Sequence, residues 1–170
     1  FGWSRHLCGE RMPADMEFMD IRRGTDVEFG QSVYEPFGIA TLEPLTFGGI
    51  CVVSSASGSV GFVHKVIGDN EVPNVLVADY TQLDKGRWTD KKLLAIDRCQ
   101  RESMEARTAE QVARKLLMRL PGDEHAIESL LKSGYDLARQ MSWDVVAGQY
   151  LLPAIDALFR KPNAAEAGAA

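Results

Sequence analysis

Two glutamates in the first third of the chain have the spacing and surroundings of a ligand site. Glu35 and Glu43 are separated by seven residues, and a Pro-Phe-Gly turn at positions 36–38 lies between them. Such a turn delivers the chain into a helix, whose start offers unpaired N–H groups and a partial positive charge to an anion. Gly38 carries no side chain, so the backbone there can approach a ligand closely.

The two carboxylates would bracket this anion-binding helix start. Glu35 precedes the turn, and Glu43 lies about two helical turns further on. Carboxylates accept hydrogen bonds from pairs of sugar hydroxyls, so a ligand with hydroxyls on both sides of a phosphate fits. A nucleoside-diphosphate sugar has that form. The alternative is a pair of solvated glutamates near a helix start, where negative charge is favourable in any case.

The flanking sequence predicts the elements that must position this turn. Residues 26–31 alternate polar and apolar side chains, as a strand does, and residues 39–47 fit a helix, with Pro44 unfavourable near its middle. Residues 50–53 and 75–77 are apolar runs typical of strands buried on both faces of a parallel sheet. We therefore predict an α/β fold with a Rossmann-like parallel sheet.

Glycines mark two further places around these strands. Residues 54–61, rich in Ser and Gly, are predicted to form a loop. Gly58 and Gly61 in that loop either contact a phosphate or sugar or are ordinary loop glycines, and the sequence favours neither role. A short helix is predicted to begin at Ala14 and to end near Gly24 in a left-handed turn.

Beyond the third strand the pattern becomes helical. A long charged stretch covers residues 89–120, a second helix covers residues 123–141, and a third follows that Pro153 should kink or interrupt. Thr108 and Gln111 fit a capping box, so the long stretch is predicted to break there.

Four side chains of the last helix recur at helical spacing. They are Trp143, Val146, Tyr150 and Leu151. Such a stripe is typical of a packing surface, and it becomes a candidate interdomain contact if a neighbouring domain is missing.

Length and composition predict one compact domain. The chain has 170 residues, 45% of them hydrophobic and 25% charged, which is enough for one core. We assign residues 1–161 to this domain, with an insertion at 84–107, and residues 162–170 to a disordered tail. Because the chain begins at Phe1 in sequence typical of a domain interior, we expect a fragment of a longer protein.

Charge, hydropathy and cysteine spacing disfavour several classes of protein. The net charge is −5 and no basic run interleaves with aromatic residues, so nucleic-acid binding is not expected. No stretch approaches the roughly 20 apolar residues of a membrane span, and the first residues lack the pattern of a signal peptide. We therefore expect a cytoplasmic protein without an integral membrane segment. Cys8, Cys51 and Cys99 lack zinc-ligand spacing, so no structural zinc is expected.

Residues 34–39, together with Glu43, resemble the Glu-x7-Glu motif of retaining GT-B glycosyltransferases, a group that includes glycogen and starch synthases. The strand-like residues 26–29 and 51–53 stand where that family has the strands before and after the motif. The Ser-Gly-x-x-Gly-Phe pattern at 57–62 is similar to the family's next donor-side loop. The likeness covers most of the chain apart from the insertion and the tail, and it implies the C-terminal, nucleotide-sugar-binding domain of such an enzyme.

The resemblance implies roles at the matching positions. Glu35 would contact the donor sugar and stabilise the reaction centre, and Glu43 would hold the ribose hydroxyls. Four consecutive residues would face the sugar and the diphosphate with their main-chain groups: Phe37, Gly38, Ile39 and Ala40. The implied reaction is hexosyl transfer from a nucleotide sugar, a UDP- or ADP-sugar, to a carbohydrate acceptor with retention of configuration. No metal and no further cofactor are expected.

The match is incomplete in one respect that bears on activity. The family neutralises the leaving diphosphate with an Arg and a Lys from an earlier part of the domain, and Arg22, Arg23 and Lys65 do not match those positions. Without that pair and without the N-terminal GT-B domain, we expect the chain to be inactive alone. Pro44 also stands where the family usually has a helix former.

Two alternatives remain open at this point. One is a non-catalytic module that binds a nucleotide or sugar phosphate. The other is a GT-B epimerase or phosphorylase, although a phosphorylase needs a lysine for pyridoxal phosphate and Lys65 lacks that context.

Overall fold

The structure, a computed structural model, describes residues 13–32, 35–68, 70–83 and 89–160. Within them three parallel strands form one sheet, and their order in the sheet follows their order in the chain. The strands are β1 (Val27–Gly30), β2 (Ile50–Ser54) and β3 (Val75–Ala78). The predicted α/β fold with a parallel sheet is therefore confirmed.

Helical segments connect and cover the strands. In chain order they are α1 (Phe18–Arg23), a 3₁₀ helix (Ile39–Phe47), α2 (Gly58–Ile67), α3 (Asp90–Leu94), α4 (Arg98–Arg119), α5 (Glu124–Gln140), α6 (Trp143–Val146), a π-helical turn (Ala147–Leu151) and α7 (Leu152–Arg160). None of these described helices is long and apolar enough to cross a membrane.

The sheet is covered on both faces, which explains its continuous apolar strands. Cys51 and Val53 of β2 pack with the 3₁₀ helix, α2 and α5, whereas Val52 packs with α4 on the opposite face. All of β2 is buried, as expected for the central strand of a parallel sheet. Burial raises the pKa of the Cys51 thiol to about 12, and the nearby Glu28 carboxylate adds to the shift.

The predicted helix at residues 39–47 is present, but it is a 3₁₀ helix and not an α-helix. Pro44 has no N–H to donate to the carbonyl of Ala40, four residues earlier, so an α-helical bond is lost there. In a 3₁₀ helix the N–H three residues on, here that of Glu43, donates to this oxygen. The guanidinium of Arg22 also donates to it (Nη1–O 2.8 Å). A side chain from α1 is therefore joined to the main chain of the 3₁₀ helix.

The prediction of a loop through residues 58–61 is wrong, because these residues form the first turn of α2. Glycines have low helix propensity, and two of them here obscure the helical pattern. Packing outweighs that propensity, since Val60 and Val63 of α2 are buried in the core. The short helix α1 does end at Gly24, but this glycine has φ −92° and not the left-handed conformation predicted for it.

The predicted break at Thr108 is also wrong, because α4 runs without interruption from Arg98 to Arg119. The capping box lies at Asp97 and Gln100, with Gln100 N donating to Asp97 Oδ1 at 2.8 Å. Thr108 is buried in the middle of the helix, and its hydroxyl donates to the carbonyl oxygen of Asp79 (3.1 Å). This bond fixes α4 to the end of β3.

The last helix is interrupted as predicted. A π-helical turn ends at Leu151, two residues before Pro153. Proline cannot donate to the carbonyl of Gln149, four residues earlier, and the wider turn accommodates that lost bond. The predicted tail, residues 162–170, lies outside the described residues.

A fully buried amide joins the 3₁₀ helix to α5. Asn74 Nδ2 lies 3.2 Å from the carbonyl oxygens of both Gly48 and Gly49 and 3.0 Å from that of Leu130. The hydroxyl of Ser133 donates to Asn74 Oδ1. This network holds the end of the 3₁₀ helix, which carries Glu43, against the C-terminal helical region.

Candidate functional site

The loop that carries the first glutamate is held by main-chain hydrogen bonds to the start of α2. Glu35 forms a parallel bridge with Ser57, and Gly58 N donates to the Glu35 carbonyl oxygen (3.0 Å). The next N–H, that of Ser59, donates to the carbonyl oxygen of Phe37 (2.7 Å). The first N–H groups of α2 are therefore used within the protein, and this helix start is not a free anion site.

Gly38 adopts a left-handed conformation, with φ 80°, immediately before the 3₁₀ helix. L side chains rarely adopt this conformation, and a Cβ here would also lie 2.8 Å from Ser57 Oγ. Its carbonyl oxygen accepts a hydrogen bond from the hydroxyl of Thr41 (2.8 Å). The sharp turn predicted between the two glutamates is thus present, and it requires glycine.

The structure gives a packing reason for one of the two glycines left open by the sequence. A Cβ at Gly58 would lie 1.9 Å from the carbonyl oxygen of Pro36, so only glycine permits this approach of α2 to the loop. A Cβ at Gly61 would meet no atom within 4 Å. The close approach accounts for Gly58 without any ligand, whereas packing does not require glycine at position 61.

Glu43 is bound by an arginine that the sequence did not connect with it. The guanidinium of Arg22, only 6% exposed, forms an ion pair through Nη1 with Glu43 Oε2 and another through Nη2 with Glu28 Oε1 (3.0 Å). The side chain of Glu43 remains 42% exposed. The pKa of Glu28 is raised chiefly by burial, with Arg22 opposing that effect and Glu43 adding to it.

An apolar groove of about 640 Å³ borders this site. Glu43 is one of its lining residues, and its apolar lining includes Phe37, Phe62, Met141 and Trp143. The rings of Phe37 and Phe62 are tilted, with centroids 6.4 Å apart. Trp143 is 82% exposed, so a large aromatic surface lies beside the second glutamate without cover from the described residues.

A second cleft, of about 770 Å³, lies at the carboxyl ends of the three strands. One wall is formed by the loops after the strands and the other by the N-terminal half of α4. Its polar lining includes Gln31, Ser55, Tyr80, Arg101, Glu102 and Glu105. Open parallel sheets commonly bind ligands at this edge.

Asp79 holds two residues that line this cleft, Ser55 and Thr81. Its Oδ1 accepts hydrogen bonds from the hydroxyl and N–H of Thr81 (2.6 and 2.9 Å) and from the hydroxyl of Ser55 (3.1 Å). These bonds, those from Thr81 above all, hold the pKa of Asp79 below its usual value, while burial opposes them. The hydroxyl of Tyr80 donates to Gln31 Oε1 at 2.6 Å. Burial raises the pKa of Tyr80, and Glu105 adds to the increase.

The predicted site residues fall into two groups. Glu35, Phe37 and Gly38 lie together at the start of α2, whereas Ala40 and Glu43 lie along the 3₁₀ helix in contact with Arg22. The main chain of Ile39 begins that helix, and its side chain lies outside what the structure describes.

Arg22 is the main residue that sequence reasoning missed. It precedes Glu43 by 21 positions and lies on another element, so no spacing rule joins the two. Among the described residues, no group of three or more His, Cys, Asp or Glu side chains is arranged to hold a metal ion.

No protein-family model matches this sequence, and no curated protein matches it. A functional assignment therefore depends on the motif and on the geometry around it.

Proposed function

We propose that this chain is the donor-binding part of a retaining glycosyltransferase of the GT-B type. It would bind a UDP- or ADP-sugar and serve transfer of the hexosyl group to a carbohydrate acceptor. One observation carries the proposal: a left-handed Gly38 turns the chain between Glu35 and Glu43 and leads directly into a helix that bears the second glutamate.

The arrangement suits the chemistry of a nucleotide sugar. The first N–H groups of the 3₁₀ helix have no partner within that helix, and they can donate to diphosphate oxygens. Glu35 precedes these groups and Glu43 follows them, so each carboxylate can accept from a hydroxyl-bearing part of the donor. In this proposal Glu35 acts at the sugar and Glu43 at the ribose.

The acceptor would bind mainly to the N-terminal GT-B domain, and we propose the cleft at the carboxyl ends of the strands as the part of the acceptor site that this chain supplies. Arg101 contributes one positive charge to its lining, and Glu102 and Glu105 contribute two negative charges. A net negative lining disfavours a diphosphate and suits a neutral ligand rich in hydroxyls. Tyr80 adds an aromatic surface of the kind on which sugar rings pack.

The apolar groove beside Glu43 supports the proposal of a neighbouring N-terminal domain. Contiguous exposed apolar surface can mark a protein contact. Trp143 and Glu43 both line the groove, so a domain seated there would cover the donor site from one side. Closing a site between two domains excludes water from the reaction.

Nucleotide binding tests the proposal. Melting temperatures of the protein would be measured with UDP, ADP and GDP, each with and without attached glucose. A nucleotide at 100 times its Kd adds about 2.7 kcal/mol, which corresponds to a shift of several degrees. The expected result is a shift with one base, reduced by Glu35→Gln for the glucose conjugate more than for the free diphosphate.

Glu110→Gln is the matched control for this experiment. Glu110 is exposed on α4, pairs with Arg114, and does not line either cavity described above. The control should shift as the parent protein does. A well-folded parent protein that shows no shift with any of the six ligands contradicts the proposed function.

A further inference from the structure

We propose that Arg22 is a positioning residue for donor binding: it fixes Glu43 and neutralises its charge, so that an anionic nucleotide can bind beside two carboxylates. This inference rests on the proposed function and adds a residue that the glutamate motif does not include. Arg22 lies on α1, Glu28 on β1 and Glu43 on the 3₁₀ helix, so one guanidinium joins three elements at the site.

The side chain of Arg22 has the geometry that this role requires. A guanidinium has five N–H donors in a fixed plane, which suits several acceptors at once. Arg22 directs Nη1 to both the Ala40 carbonyl oxygen (2.8 Å) and Glu43, and Nη2 to Glu28 (3.0 Å). The bond to the Ala40 carbonyl also ties the main chain of the helix that carries Glu43 to α1.

Glu43 keeps part of its carboxylate available while Arg22 holds it. The ion pair uses Oε2, and 42% of the side chain is still exposed. The carboxylate is therefore held in one orientation with part of its surface directed to solvent. A group fixed in this way loses little conformational freedom when it accepts a hydroxyl, which favours binding.

Arg22 also offsets negative charge at the site. Glu28 and Glu43 both contact Arg22, so without the arginine two carboxylates would lie close together beside the 3₁₀ helix. Their combined field would oppose a diphosphate and would have a much weaker effect on an uncharged nucleoside. A residue that only maintains the fold would affect both ligands alike.

Comparing a diphosphate with its nucleoside therefore tests the inference. The nucleotide that stabilises the parent protein is chosen from UDP, ADP and GDP, and Kd is then measured by NMR titration for that diphosphate and for its nucleoside. Arg22→Gln should weaken diphosphate binding by about tenfold, the effect expected for losing a charged hydrogen-bonding partner. Nucleoside binding should weaken by a clearly smaller factor.

Two further variants separate charge from structure. The double variant Arg22→Gln, Glu43→Gln removes one of the two uncompensated carboxylates and keeps an amide that can bond a hydroxyl. It should therefore bind the diphosphate more tightly than Arg22→Gln does, and equal Kd values for the two variants would contradict the role of charge. Arg23→Gln is the control on the same helix. Arg23 is exposed and pairs with Asp20, and this variant should bind both ligands as the parent does.

The outcomes are distinct. If the parent protein binds none of the three nucleotides, both the proposed function and this inference are wrong. A parent that binds, together with a folded Arg22→Gln variant that binds equally well or loses diphosphate and nucleoside by the same factor, overturns this inference alone. If circular dichroism shows Arg22→Gln to be unfolded, Arg22→Lys is used in its place. It retains the charge and should keep most of the affinity for the diphosphate. If Arg22→Lys weakens the binding of diphosphate and nucleoside by the same factor, the inference is wrong.

Discussion

The main-chain N–H of Gly58 donates a 3.0 Å hydrogen bond to the carbonyl oxygen of Glu35. This bond joins the start of α2 to the loop before the left-handed turn, so the position of the first glutamate depends on the helix that follows β2. The two segments are therefore connected, and a substitution that moves the start of α2 should also move Glu35.

Gly58→Ala should destabilise the protein. The added Cβ would lie 1.9 Å from the Pro36 carbonyl oxygen, a backbone atom that cannot move away alone. Overpacking of this kind costs about 1–3 kcal/mol, which would be measured as a lower free energy of unfolding in urea. Gly61→Ala is the control, because its Cβ meets open space and alanine favours the helix. Equal stability of Gly58→Ala and the parent would contradict this close approach of α2 to the loop.

Asn74→Ala should be among the most damaging single substitutions. It leaves buried carbonyl groups, those of Gly49 and Leu130 among them, without the amide donor. A loss of about 3 kcal/mol of unfolding free energy is expected, because several buried hydrogen bonds are removed and the space of the amide is left empty. Asn70→Ala should be nearly neutral, because Asn70 is exposed and bonds only the nearby Ile67 carbonyl among the described residues. Similar losses in the two variants would argue against a structural role for the Asn74 network.

Asp79→Asn should remove part of the acid sensitivity of the protein. Hydrogen bonds from Thr81 lower the pKa of Asp79 in the folded state below its usual 3.8. Its contribution to stability is therefore present above pH 3.8 and is lost as the pH falls below that value through the lowered pKa. The difference in unfolding free energy between about pH 7 and about pH 3 should be smaller in Asp79→Asn. An unchanged difference would show that these bonds do not favour the carboxylate.

Cys51 should be inert in the folded protein. Its side chain is fully buried in β2, and its pKa is raised to about 12, so almost no thiolate forms at about pH 8. In a variant with Cys8→Ser and Cys99→Ser, a thiol reagent should label Cys51 only after a denaturant is added. Rapid labelling under native conditions would show that the central strand opens readily.

The central strand could be predicted because its signal is local. Residues 50–53 form an unbroken apolar run, and such a run is typical of a strand that is buried on both faces of a parallel sheet. The turn at Gly38 could be predicted in the same way, because a glycine that follows Pro-Phe at a helix start is a local signal for a turn. These features depend on neighbours within a few positions of one another.

Other features depend on contacts between distant residues, and no local pattern indicates them. Packing of Val60 and Val63 forms α2 despite two glycines. Thr108 has the sequence context of a capping residue, but it lies in the middle of a helix and its hydroxyl donates to the Asp79 carbonyl oxygen. The ion pair between Arg22 and Glu43 joins two elements on either side of β1 in the chain. Tertiary contacts decide each of these, and they become visible only in three dimensions.

The π-helical turn before Pro153 changes the direction in which the last helix presents its side chains. It adds roughly one residue to the helical repeat, which rotates everything after it by about 100° relative to what precedes it. Trp143 before the turn borders the groove, whereas the exposed Leu158 and Phe159 lie after it. Counted at about 100° per residue with this correction, Leu158 and Phe159 lie within roughly 60° of Trp143 around the helix axis. The wider turn therefore gathers exposed apolar side chains from both halves of the last helical region on one broad face, which a single neighbour could cover.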